Sequence, residues 1–316
     1  MKALSVGRVT TVITIVAIYV IVKALLFAGI IDHYLEITLV MIGVNIMLAV
    51  SLNLVTGFTG QFSLGHAGFM SIGAYTCAII SMRMHSLTGF LTGVVMAALF
   101  AAIVGILIGI PTLRLKGDYL AIATLGMAEI VRVVFLNLKI TNGAVGLNGI
   151  PKYINWEWLF FFTVLTVLCI NNFIRSSHGR ACISIREDEV AAESMGINIT
   201  MYKTVAFAIG AFFAGVAGAV YASYFHLIMP GQFGFLKSID ILVIVVLGGM
   251  GSISGSIFAA ILLAVVTTYL QAFTELRMII YSVMLVAIMI FRPQGIMGSK
   301  ELTLETLIRR KRRGVA

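Results

Sequence analysis

Long apolar runs alternate along this chain with short connections that are basic, glycine-rich or both. A helix needs about 20 apolar residues to cross about 30 Å of hydrocarbon. That window marks Val9 to Ile31, Leu35 to Val55, Leu87 to Ile110, Tyr119 to Leu138, Trp158 to Ile174 and Val205 to Phe225. Shorter or glycine-broken runs follow the same rhythm at Ala67 to Met82, Ile239 to Leu247, Ile257 to Phe273 and Met278 to Phe291. The pattern predicts an all-α polytopic membrane protein of about ten transmembrane helices, some short or discontinuous. Ile239 to Leu247 reaches span length only if it extends into GGMGSISGS. Otherwise it is re-entrant, which irregular backbone tolerates where protein buries it or water reaches it. The first run exceeds the apolar core of a signal peptide and is read as a retained span.

Composition agrees, since 60% of residues are hydrophobic, only 11% are charged and the mean hydropathy is +1.07. No stretch between the runs is long enough to bury a core of its own, so residues 1–316 form a single membrane domain. Lys and Arg collect in cytoplasmic loops, and this orients the spans. With the N-terminus inside, the inner segments hold Lys2, Arg8, Arg114, Lys116, Arg175, Arg180, Arg186, Lys203, Arg292, Lys300 and Arg309 to Arg313. The outer ones hold Arg83, Lys139, Lys152, Lys237 and Arg277. Both termini are therefore expected inside. The net charge of +9, with a basic tail over 299–316, then suits an anionic inner leaflet and not nucleic acid. Three cysteines, Cys77, Cys169 and Cys182, have no metal-ligand spacing and predict neither a disulfide framework nor a metal site.

The longest inner loop, 175–203, contains GRACISIREDEVAAESMGIN, in which Glu187, Asp188, Glu189 and Glu193 crowd together. Its residues from Glu187 to Met195 are mostly good helix formers, and Gly196 is placed to end the helix in a left-handed cap. A short surface helix results. It is either a solvated linker or, through Ala191, Ala192 and Gly196, a small-residue face that admits another protein.

Ala191-Ala192-x-x-x-Gly196 resembles the Glu-Ala-Ala-x-x-x-Gly coupling motif of ABC-importer permeases, although Val190 stands where that motif has Glu. Further stretches are similar, in order, to the branched-chain amino acid ABC transporter permease family. They are NLVTGFTGQFSLGHAGFMSIGAY from Asn53, RLKGDYLAIATLGMAEIVR from Arg114, TNGAVGLNGI from Thr141, VLGGMGSISGS from Val246 and RPQGIMG from Arg292. HGRACISIREDEVAA and RPQG make the chain more similar to the LivM-type subunit than to its LivH-type partner.

The resemblance implies a permease in a bacterial cytoplasmic (inner) membrane that carries branched-chain amino acids. It implies as partners a second, LivH-type permease, two cytoplasmic ATPase subunits and an extracytoplasmic substrate-binding protein. On this reading the chain is not an enzyme and binds no cofactor, while ATP and Mg belong to the ATPases; the sequence has no GxxxxGK[ST] loop. Arg186, Glu187, Asp188, Glu189, Ala191, Ala192 and Gly196 are the expected ATPase contact. Related permeases carry urea, short amides or other amino acids, and these remain alternatives. An ion-coupled secondary transporter or channel is a further rival, which needs buried acids at the bilayer midplane.

Two charge-free breaks are candidates for the translocation path. Gly57, Gly60, Gln61, Ser63, Gly65 and His66 lie in the first, and Gly248, Gly249, Gly251 and Ser254 in the second. Each contains Gly-x-x-Gly-x-x-Ser, and unwound backbone supplies dipoles for a zwitterion without ionised groups. The same glycines also serve close helix packing. His66 lacks neighbours for a metal or proton relay and is expected to pack or hydrogen-bond. Glu129 and Arg132, spaced i,i+3 in an apolar span, form either a self-neutralising pair near the outer end of their helix or part of the path lining. Asp240 is expected to mark a helix start at the outer surface. The Gly- and Asn-rich stretch Thr141 to Trp158 is expected to anchor at the interface and to contribute to a platform for the binding protein.

Overall fold

A computed structural model describes residues 2–29, 31–269, 283, 286 and 295–298. The expected span Met278 to Phe291, apart from 283 and 286, and the basic tail 299–316 lie outside the described residues. The helices are α1 (Lys2–Phe27), α2 (His33–Asn53), α3 (His66–Met84), α4 (Leu87–Thr112), α5 (Asp118–Asn137), α6 (Trp156–Arg175), α7 (Ser177–Glu187), α8 (Glu189–Ser194), α9 (Ile199–Phe225), α10 (Phe235–Gly248) and α11 (Ile253–Tyr269). Two-residue strands β1 (Leu147–Asn148) and β2 (Leu227–Ile228) pair antiparallel.

Among the described residues, six stretches are long and apolar enough to cross a membrane: His33–Phe58, Leu87–Thr112, Asp118–Asn137, Trp156–Arg175, Ile199–Phe225 and Pro230–Gly248. Ile13–Phe27 and Ile253–Thr268 are apolar but shorter. The sixth stretch corrects an expectation. The helix containing Ile239 to Leu247 gains its length upstream, through the turn Pro230–Phe233, and not through GGMGSISGS. It stops at Gly248 because Gly249 takes φ +111°, a conformation closed to most side chains. Asp240 is likewise not a helix start, since α10 begins five residues earlier at Phe235.

The core is built on α3, α4 and α9, which pack more closely than any other helices. Small residues allow this. A methyl at Gly73 would overlap the Gly215 backbone, and one at Gly218 would overlap the Met70 carbonyl. In an environment as apolar as lipid, such close backbone approach is what holds helices together. α11 runs antiparallel along α2. Asn53, at the end of α2, meets Ser252 and Ser256, while Tyr34, at its start, donates to the Thr268 carbonyl at 2.6 Å.

The two ends of the bundle therefore differ. One gathers the end of α2, the start of α11 and the loop helices α7 and α8. At the other, β1 is joined to β2, His226 Nδ1 donates to the Ile150 carbonyl at 2.6 Å, and Trp156 and Trp158 sit on the first turn of α6.

Candidate functional site

The segment 175–203 folds as two helices and not one. Ser176 caps α7 by accepting from the Gly179 amide. Gly179, Cys182 and Ile185, at three-residue spacing, turn the buried stripe of α7 toward the bundle. Asp188 breaks the helix in extended conformation, and its carboxylate accepts from the Val190 and Ala191 amides, capping α8. Gly196 ends α8 at φ +82°, the expected left-handed cap.

The expected docking residues divide between two faces. Ala192 is 4% exposed and packs against the chain itself, so the paired-alanine face expected to admit a partner is only half available. Ala191, Glu193 and Gly196 are exposed, as are the apolar Val190 and Met195. Glu189 turns back to an ion pair with Lys203, a buried residue in the second turn of α9, and to Lys116 at 3.2 Å. Burial pushes the Glu189 carboxyl up, but the Lys203 and Lys116 ammoniums outweigh it and hold the group below its ordinary value.

Arg186 also reaches inward, its Nη1 donating to the Gly57 carbonyl at 2.6 Å. That carbonyl lies where the two glycine-rich breaks meet. Asn53 bridges them: its Oδ1 accepts from the Gly251 amide at 2.9 Å, and its Nδ2 donates to the Ser252 carbonyl at 2.9 Å and to Ser256 Oγ at 2.8 Å. A methyl at Gly57 would overlap both Asn53 Oδ1 and the Gly251 nitrogen. The second glycine of each Gly-x-x-Gly-x-x-Ser copy takes a positive φ, +71° at Gly60 and +89° at Gly251. Both flank Arg186, since a Cβ at Gly60 would lie 3.4 Å from its Cγ and one at Gly251 would lie 2.6 Å from its Nη1. The RPQG stretch ends here as well: the Ile296 amide donates to the Leu247 carbonyl at 2.9 Å, and a Cβ on Gly295 would lie 2.5 Å from Gly249 Cα.

Gly57, Gly60, Gly249 and Gly251 are thus brought together, but as packed backbone. Gly57, Gln61, Ser63, Gly65, His66, Gly248, Gly249 and Gly251 are buried, Ser254 is half-buried, and Gly60 is exposed beside Arg186. Gly65 and His66 lie farther along. Gly65 abuts the Thr124 carbonyl of α5, and the Leu64 amide donates to Thr124 Oγ1 at 3.1 Å. His66 shares a hydrogen bond of 2.8 Å with Ser51 and sets its ring edge-on to Phe69, the packed histidine that the sequence predicts. Glu129 and Arg132 form their i,i+3 pair at 2.6 Å, with side chains 35% and 29% exposed.

Sequence reasoning missed Asn53, Lys116 and Lys203. Asn53 is a polar residue closing an apolar span, and Lys203 a charge inside the first turns of one; those are the signals that marked them.

A family model described as a branched-chain amino acid transport system permease component matches residues 34–289. The high-affinity branched-chain amino acid transport system permease protein LivM of Salmonella typhimurium is 39% identical over 289 residues, covering 80% of this chain and 68% of the relative. LivM of Escherichia coli matches to the same extent. The corresponding LivH protein of Salmonella typhimurium is 25% identical over 289 residues, covering 81% of this chain and 92% of the relative. No solved structure matches. With its motifs interlocked around Arg186 and its similarity running through most of its length, the chain belongs to the branched-chain amino acid transport system permease family, as a LivM-type member.

Proposed function

We propose that this chain is one of two permeases in a binding-protein-dependent ABC importer of branched-chain amino acids, paired with a LivH-type subunit and driven by two separate ATPases. The end of the bundle carrying α7 and α8 faces the cytoplasm, and the β1–β2 end faces the binding protein. In this reading the chain makes about ten crossings, α1, α3 and α11 among them, with both termini inside. The position of Gly295 against Gly249, at the end that carries α7, supports the inner placement of the C-terminus.

The observation that carries the reading is the Arg186 hydrogen bond to Gly57. It gives a loop expected to bear on an ATPase a direct grip on the junction of α2 and α11. Nucleotide-driven movement of α8 passes through α7 to Arg186 and so to both breaks, which sit at helix ends where backbone dihedrals are freest to change. Docking then falls to the outward residues Glu187, Ala191, Glu193 and Gly196, framed by Val190 and Met195, while Arg186 and Glu189 serve as internal ties.

The test is a mild-detergent pull-down of the tagged chain, expressed with its candidate partners, followed by mass spectrometry and an ATPase assay. Wild type is expected to recover a second permease and nucleotide-binding subunits. Ala191→Glu and Gly196→Asp should lose the ATPases while keeping the second permease. A chain that purifies alone and moves leucine into vesicles without ATP would sink the importer reading.

A further inference from the structure

The pair Glu129–Arg132 does not stand alone. Across from it α10 presents a second acid–base set at the same spacing, Lys237 and Asp240, and the four charges line an open depression of about 420 Å³ together with Gly231 and Gln232. That volume lies in the range of about 300–1,000 Å³ typical of ligand pockets.

Depth makes the arrangement unusual. Glu129 is eleven residues past Asp118, the start of α5, which is about 16 Å along the helix axis. The turn Pro230–Phe233 and Gly234, which lead into α10, reach the same level, because a Cβ on Gly234 would lie 3.7 Å from Arg132 Cδ and 3.9 Å from Glu129 Oε1. Phe233 beside it packs edge-on against Tyr75, halfway along α3, with ring centroids 6.2 Å apart. Gly231 and Gln232 are nonetheless exposed. Four ionisable groups at this depth are incompatible with lipid contact and fit a water-accessible cavity.

We propose that this depression receives the zwitterionic head of the transported amino acid, a refinement that rests on the import reading above. The carboxylate is taken by Arg132 and Lys237, and the ammonium by Glu129 and Asp240. The set offers two cations and two anions, one pair for each end of a zwitterion. Arg132 uses Nε on Glu129 Oε2, which leaves the terminal guanidinium nitrogens and Glu129 Oε1 to meet a ligand. Lys237 makes a long 3.5 Å contact to Asn45 Oδ1 from α2 and so ties the site to the helix that ends at the Arg186 junction.

An ammonium joined to an anionic group also describes an ethanolamine lipid head, so the vesicles must exclude it. The complex with its second permease and ATPases is reconstituted in phosphatidylcholine and phosphatidylglycerol, and ATP-dependent uptake of radiolabelled L-leucine from the binding protein is measured. Glu129→Gln, Arg132→Gln and Asp240→Asn should each lower uptake roughly ten- to hundredfold, as loss of a charge-assisted bond implies, with subunit recovery unchanged. The swap of Glu129→Arg with Arg132→Glu rebuilds an ion pair in reverse and should not restore transport. Full recovery in the swap, or wild-type uptake in the neutral variants, overturns the site in favour of two structural pairs. A defect that appears only when ethanolamine lipid is added overturns it in favour of a lipid head. A wild-type complex that imports no leucine overturns the import reading itself, a result separable from the other two.

Discussion

Gly57→Ala is the sharpest probe of the junction between the two breaks. The added methyl would overlap Asn53 Oδ1 and the Gly251 nitrogen, so the Asn53 carboxamide must leave its place. It holds three buried hydrogen bonds there, to Gly251, Ser252 and Ser256. At about 1 kcal/mol net for each and about 1–3 kcal/mol for overpacking, the cost runs from about 2 kcal/mol, if one bond is lost, to about 6 kcal/mol if all three are. The Gly57 carbonyl shifts with it, and the Arg186 contact is lost. Gly126→Ala serves as control, since nothing lies within 4 Å of its added carbon and an exposed helical glycine gains up to about 1 kcal/mol on becoming alanine. Both variants are compared with wild type by titrating the purified chain from mild detergent into dodecyl sulfate and following helical circular dichroism. If Gly57→Ala unfolds within about 0.5 kcal/mol of wild type, the breaks are not locked as described.

The loop offers further tests. Asp188→Ala removes the cap of α8 and should cost about 1 kcal/mol, read as faster amide exchange at Val190 and Ala191 without change at α9. The Glu189 carboxyl lies below its ordinary value, so its stabilising ion pairs are intact above pH 4.5, where even an unperturbed glutamate is ionised. They are lost as pH falls further, through the depressed value. Protection of the α8 amides, taken relative to the intrinsic exchange rate at each pH, should therefore fall at low pH in wild type, whereas Glu189→Gln should be poorly protected already at pH 7 and nearly independent of pH. An unchanged wild-type profile on acidification would refute the Glu189 tie to Lys203 and Lys116. The partner-recovery and uptake variants described above complete the set.

Much of this molecule was legible along the chain. The apolar runs mark the helices because a bilayer demands a fixed length of apolar helix, and Gly196 announces its cap because a left-handed turn favours a residue without Cβ. The family could be reached through short motifs in order. Other features escaped a one-dimensional reading. Ala191 and Ala192 look equivalent in sequence, yet one is exposed and the other buried, since adjacent residues on a helix point about 100° apart. Arg186 and Glu189 look like surface charges, yet both turn inward, to Gly57 from 129 positions away and to Lys203 from 14.

What the sequence alone determined is the local grammar of this protein: which segments are helical, where glycine and aspartate interrupt or cap them, and the family that those interruptions mark. Tertiary structure decided the rest. It brought Asn53 to Gly251 and set Lys237 and Asp240 opposite Glu129 and Arg132, contacts that depend on how separate helices cross. Helix formation needs only neighbours along the chain, whereas a shared site needs the relative depth and rotation of helices, which packing of every small residue between them fixes at once.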